Sequence, residues 1–105
     1  MGNVHKFPIQ VINYDKRIAH IAGINTALLY AELMAEYETK QYQGQIDELG
    51  GFETSTEYIQ SQIGLSYYQQ KKAFDKLRDL RLISVEICGL PPRKNIQFIN
   101  SEGNI

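Results

Sequence analysis

Tyr67, Tyr68, Gln69, Gln70, Lys71 and Lys72 form an unbroken run of flat aromatic, amide and ammonium side chains. Amides and phenols can hydrogen-bond to base edges and ammonium groups can neutralise phosphates, so this mixture has the chemistry of contact with a nucleic acid. Gln69 stands three residues after Ser66, the spacing of a capping box, which leaves Gln70 as the freer amide. Lys76 follows one turn after Lys72, and a second pair of cations, Arg93 and Lys94, follows Pro91 and Pro92. The candidate DNA-contacting set is therefore Tyr67, Tyr68, Gln70, Lys71, Lys72, Lys76, Arg93 and Lys94. Plainer roles compete for some of these. Tyr67 and Tyr68 also suit packing at a helix start, and Lys76 and Arg78 can pair with Asp75, Asp79 or Glu86.

The charge pattern favours the same region. The 105 residues hold 11 Lys plus Arg and 12 Asp plus Glu, a formal charge of -1, which excludes a polybasic chain or an acidic tail. Ser66 to Lys94 nevertheless contains seven basic and three acidic residues, a local charge of +4, and the remainder carries four basic and nine acidic residues, or -5. A near-neutral total thus hides a basic stretch about the size of one groove contact.

Catalytic and metal-binding chemistry finds no set of residues. His5 and His20 have no Cys or carboxylate partner at ligand spacing, and the chain has no glycine-rich phosphate loop. Cys88, the one cysteine, falls within a predicted strand and is expected to be a buried structural thiol. A single cysteine forms no internal disulfide and points to a reducing, cytoplasmic setting. No cofactor and no enzymatic activity are expected. No stretch approaches the roughly 18 apolar residues of a membrane span, so no membrane partner is expected.

The elements that must position these groups are legible from caps and periodicity. Phe7 to Val11 reads as a short extended entry. Asp15 caps a short helical turn that Gly23 ends, and Asn25 is expected to cap a longer helix from Thr26 to about Tyr42. In that helix Ala27, Leu28, Ala31, Met34 and Ala35 share a face, and Leu29, Tyr30, Leu33 and Tyr37 widen the apolar surface beyond it. Such a helix is either central to the core or carries a second buried face. The second case makes Leu29, Tyr30, Leu33 and Tyr37 the candidate homodimer interface.

After an acidic loop through Asp47, Glu48, Gly50 and Gly51, with Phe52 as its core anchor, Thr54 and Glu57 have capping-box spacing ahead of a helix bearing Tyr58, Ile59 and Ile63. Gly64 ends it. Ser66 and Gln69 repeat the box at the head of a helix reaching about Leu80, with Ala73, Phe74, Leu77 and Leu80 on its packing side. From Leu82 to Cys88 the pattern alternates, Gly89 to Lys94 is a turn, and Ile96 to Ile99 forms a second strand. Residues from Ser101 read as a frayed tail.

Helix, short turn, helix and hairpin with a basic tip is the order of a winged helix-turn-helix. The expected fold is α+β, one domain over 1–105, with three to four helices, a helix-turn-helix over about 54–80 and a wing over about 82–100. The expected partner is double-stranded DNA, with a protein-docking module that lacks DNA binding as the reading from a different class.

The stretch Thr54 to Asn100 contains the runs Thr-Ser-Thr-Glu-Tyr-Ile, Ile-Gly-Leu-Ser, Gln-Gln-Lys-Lys-Ala-Phe, Lys-Leu-Arg-Asp-Leu, Leu-Ile and Gly-Leu-Pro. In these it resembles the winged-helix domain of replication initiators and replisome organisers of phages and plasmids in low-GC Gram-positive bacteria, a domain type shared with DnaD-like primosomal proteins. Ile18 to Tyr37, with Ala-Gly-Ile-Asn-Thr-Ala-Leu-Leu-Tyr-Ala-Glu-Leu, is similar to that family's opening helices, and Gly51-Phe52 to the aromatic step before its helix-turn-helix. The resemblance implies binding of an origin or operator as a dimer, with a recognition helix over Ser66 to Leu80, a wing over Ile87 to Ile96 and a replication protein as a further partner. A transcriptional repressor would use the same fold. Arg81 departs from the pattern, standing where a Gly commonly ends the recognition helix. The chain also stops after the wing, where full initiators carry a further domain, so the expectation is a DNA-binding domain or a small regulator.

Overall fold

The computed structural model describes residues 11–99. The extended entry expected from Phe7, apart from Val11, and the tail expected from Ser101 lie outside them. Four helices and three short strands follow in the order α1 (Lys16–Ala22), α2 (Ile24–Tyr42), β1 (Phe52–Thr54), α3 (Thr56–Ile63), α4 (Tyr67–Asp79), β2 (Ile83–Cys88) and β3 (Arg93–Phe98). This is the α+β winged helix-turn-helix arrangement, with β2 and β3 as the wing.

Local chemistry accounts for the boundaries. The Asp15 carboxylate accepts the Arg17 backbone N–H at 2.7 Å and starts α1. Gly23, at φ +98°, both ends α1 and opens α2, a backbone conformation that strains any residue with a Cβ. Asn25 consequently lies inside the first turn of α2 and does not cap it. The first helix of the helix-turn-helix is capped by Ser55, whose hydroxyl accepts the Tyr58 N–H at 3.1 Å. The expected box between Thr54 and Glu57 does not form, because Thr54 is held in β1 by pairing with Lys94. The second box forms as its spacing predicts: Ser66 Oγ accepts the Gln69 N–H at 3.2 Å and Gln69 Oε1 accepts the Ser66 N–H at 2.9 Å.

α4 ends without a glycine. Arg81 adopts a left-handed φ of +61°, its N–H reaches Arg78 O at 2.9 Å and the Leu82 N–H reaches Leu77 O at 3.1 Å. Those two bonds are the Schellman pattern, in which the left-handed position normally favours glycine. The departure noticed in the sequence is thus a non-glycine residue in a glycine conformation.

The sheet is antiparallel in the order β1-β3-β2, with Phe52 opposite Ile96 and Val85 opposite the same residue on the other side. The hairpin turn spans only 89–92, so the second wing strand begins at Arg93 and the wing is longer than the Ile87 to Ile96 segment. β1 stands where the sequence predicts a loop anchored by Phe52, since three residues offer too short an alternation to show as a strand. Behind it Asp47 accepts the N–H groups of Leu49 and Gly51 and the side-chain amide of Asn95, pinning the acidic loop to β3. A Cβ on Gly51 would collide with the Asn95 and Asp47 side chains.

Leu29, Leu33, Phe52, Ile59, Leu65, Ala73, Phe74, Leu77, Ile83 and Ile96 form the core, so every element except α1 contributes to it. Tyr30 and Tyr37 lie edge-on to Phe98 at 5.6 Å, and Tyr37 edge-on to Phe52 at 6.0 Å. α2 is therefore the central helix. Its inward face carries Leu29 and Leu33; of the expected stripe Ala27 and Ala31 are buried and Leu28 half-buried, while Met34 and Ala35 are exposed. This corrects the homodimer assignment: Leu29 and Leu33 are fully buried within this chain, and Tyr30 and Tyr37 are half-buried against the sheet aromatics. Among the described residues no helix is long and apolar enough to cross a membrane.

Candidate nucleic-acid interface

α4 packs Ala73, Phe74 and Leu77 inward, and its outer surface divides into two flanks. Tyr67, Lys71, Asp75 and Arg78 border a groove against Thr56 of α3 and Val85, Ile87 and Lys94 of the wing, with a volume of about 190 Å³. Tyr68, Lys72 and Lys76 border a second depression of about 280 Å³ against the α1–α2 corner. Between the flanks the helix projects, and its 13 residues span about 20 Å.

At the helix head, Tyr67 and Tyr68 retain 64% and 65% of their exposure, which excludes the packing role that competed for them. Lys72 Nζ sits 5.3 Å from the centre of the Tyr68 ring, a cation–π contact that holds both groups out toward solvent. Lys71 is exposed and only 4.0 Å from Asp75, at the limit of ion pairing. Gln69 is engaged by the capping box, as its spacing predicts.

Gln70 departs from expectation. It is 2% exposed and points inward, donating through Nε2 to Thr56 O and to Leu65 O, both at 3.0 Å. The amide thus ties the head of α4 to both ends of the preceding helix and turn; Gln70 lies at the floor of the wing-side groove, but it is buried and its donor is spent within the fold. Lys76 also differs: its ammonium donates to Ala22 O at 3.2 Å, satisfying the C-terminal end of α1. It fixes α1 against α4, although the side chain stays at the surface.

On the wing, Lys94 donates to Thr56 Oγ1 at 3.2 Å and lies 5.3 Å from the Phe74 ring centre. Burial holds its pKa below the usual lysine range, the field of Glu57 works against that shift and the like charge of Arg78 adds to it. Arg93 pairs with Glu53 of β1 at 3.1 Å, both side chains about half exposed. Exposed pairs of this kind are worth about 0.2–1 kcal/mol, less than a charge-assisted phosphate contact, so Lys71 and Arg93 remain available to an anion. Arg78, paired with Asp75 at 3.0 Å, belongs to the same groove. The spacing of Asp75, four residues after Lys71 and three before Arg78, made that pairing legible, whereas the Glu53–Arg93 tie depends on β1 joining the sheet.

Cys88 is exposed at the end of β2, contrary to the expected buried thiol. β2 is an outer strand whose burial fades after Ile83, so its distal residues leave the core as the wing extends. Ile87 and Leu90 are exposed for the same reason. Among the described residues no group of three metal-ligating side chains assembles. Comparison with protein-family models, curated proteins and solved structures finds no match for this chain.

Proposed function

We propose that the chain binds double-stranded DNA, laying the head of α4 in the major groove and the wing along the neighbouring backbone. The observation that carries this is the outer face of α4. Tyr67, Tyr68, Lys71 and Lys72 all face solvent at one helix head, capped and supported from behind, with Lys94, Arg93 and Arg78 flanking on the wing side. A groove about 12 Å wide accepts one helix of 10–12 Å diameter, and the phenols supply hydrogen-bonding edges while the lysines face phosphates. Gln70, Lys76 and Lys94 each donate within the fold; the first two are left out of this reading, and Lys94 enters it only through its positive charge beside Arg93.

The role in replication initiation or its control, for a phage, plasmid or other mobile element, rests on the resemblance of the Thr54 to Asn100 runs. A repressor would use the same surface on a different site. The test is a fluorescence-anisotropy titration of DNA flanking the chain's own gene, beside a scrambled duplex, at two salt concentrations. Preferential, salt-sensitive binding is expected. Changing Lys71 and Lys72 together to Ala should weaken both duplexes and flatten the log-log salt slope by about 1.8, or about 0.9 for each of two phosphates. An unchanged slope and affinity would remove α4 from the interface and favour a protein-docking role.

A further inference from the structure

Beside the exposed head of α4, the groove against the wing holds about 190 Å³, and most of its lining is apolar. Val85 and Ile87 stand two residues apart on β2 and so share one face, which forms the groove's hydrocarbon side together with Phe74. Ile87 keeps 63% of its exposure, and Tyr67, on the same groove, is as bare. The fold leaves this apolar surface uncovered.

Cations border the same groove. Arg78 enters from α4 and Lys94 from β3, where Lys94 is the ladder partner of Ile87. The two act on each other as like charges, with Glu57 offsetting part of the field at Lys94, so an anion between them relieves a repulsion. Both have donors to spare: Arg78 gives one N–H to Asp75 at 3.0 Å and Lys94 one to Thr56 at 3.2 Å, from side chains that carry several. Lys71 on the α4 rim adds a further cation, and Asp75 is the carboxylate that faces them in the groove. A bare phosphate would leave the hydrocarbon side wet, and a neutral ring would leave the excess positive charge unmatched.

We propose that this groove binds a single-ring aromatic carboxylate, with the ring against Phe74, Val85 and Ile87 and the carboxylate between Arg78 and Lys94. A cavity of about 150 Å³ holds a benzene ring, so the groove takes one ring with its acid group and little more. The planar guanidinium matches a carboxylate through parallel N–H bonds, which a point charge on the wing completes from the other side. Such an anion takes both charge and space from the wing side of the α4 surface. Its displacement of DNA rests on the reading of α4 as the DNA-contacting helix, whereas its binding does not.

The test is a ¹H–¹⁵N NMR titration of the full chain with sodium benzoate, the ionic strength being held constant with sodium chloride. Saturable shifts are expected at Lys71, Asp75, Val85 and Ile87. Acetate, which lacks the ring, and benzyl alcohol, which lacks the charge, should each bind about tenfold more weakly or less. Arg78→Gln should weaken benzoate about tenfold, the effect of losing a hydrogen bond to a charged group. Ile87→Ser, at an exposed position, should weaken benzoate and leave acetate unchanged. In the anisotropy titration, saturating benzoate should raise the apparent Kd for DNA, and acetate at the same concentration should not. Absence of saturable shifts, acetate or inorganic phosphate binding as tightly as benzoate, or full benzoate affinity in both variants would overturn the proposal. A DNA affinity indifferent to bound benzoate would place the anion away from the α4 surface and overturn it too. A chain that bound benzoate but no duplex would sustain the groove as a carboxylate site and refute the DNA reading alone.

Discussion

Gln70→Ala separates a base-reading amide from one that holds the helix-turn-helix together. The substitution deletes the Nε2 donor that bridges Thr56 O and Leu65 O at 3.0 Å each. Two such bonds contribute about 1 kcal/mol apiece, and leaving the buried Leu65 carbonyl unpaired adds about 1–2 kcal/mol. Against this, Gln70 Oε1 is itself buried and unpartnered among the described residues, so its removal returns about 1 kcal/mol. The net loss is about 2–3 kcal/mol, a large share of the 5–15 kcal/mol typical of a domain. At about 4–8 °C per kcal/mol for a domain of this size, the melting temperature should fall by about 10–20 °C. Urea unfolding followed by circular dichroism should show a lower midpoint with an unchanged slope. DNA preference, measured well below that midpoint, should be that of the parent chain. A stability change under about 0.5 kcal/mol, the range of ordinary surface changes, together with altered base preference, would refute the reasoning and return Gln70 to the interface.

Other perturbations test other links. Arg81→Gly should stabilise by about 0.5–1 kcal/mol, since relief of about 1–2 kcal/mol of left-handed strain outweighs the chain entropy of glycine, and thermal melts should show the rise. The pKa of Glu36, raised by its burial, favours its protonated form in the native state. Its contribution to stability is therefore fully present below the unfolded value of 4.5 and is lost as pH rises through about 7, on the order of 3 kcal/mol in all. Urea midpoints at pH 5 and pH 8 should differ in the parent and differ less in Glu36→Gln, where the raised Glu32 carboxyl remains. Phe52→Ala should cost about 3–5 kcal/mol, the usual effect of emptying a buried aromatic site, and a smaller change in chemical denaturation would place Phe52 outside the core. Cys88, being exposed, should react with a thiol reagent in the native protein at nearly the rate seen in urea, whereas strong protection would contradict its position on the wing.

Much of the scaffold was legible because its signals are local. Asp15, Gly23, Gly64 and the Ser66–Gln69 box act on backbone groups within four residues of themselves, so spacing alone locates them. The exposed aromatic and basic head of α4 was legible for a related reason: polar residues beside a clear apolar stripe leave little choice of face. The errors share the opposite cause. Gln70 belongs to the polar run by composition, yet it projects from the packing side of α4 beside Ala73, Phe74 and Leu77, where only the carbonyls of another segment could satisfy it. Thr54 and Glu57 have the spacing of a cap, but pairing with Lys94, 40 positions away along β3, claimed Thr54 for the sheet.

The sequence by itself determined where the helices stop and where α1 and α4 start, the order helix-turn-helix then hairpin, and the basic bias of its last third, because these depend on bonds and charges between near neighbours. Tertiary structure decided which face of α2 is inward and that Leu29 and Leu33 belong to this chain's own core. It also decided that Phe52 completes a third strand, that Lys76 closes α1, that Cys88 leaves the core, and that Glu36 is buried beside Glu32. Each of those outcomes depends on which distant segment arrives to cover or satisfy a side chain, and no spacing along the chain records that arrival.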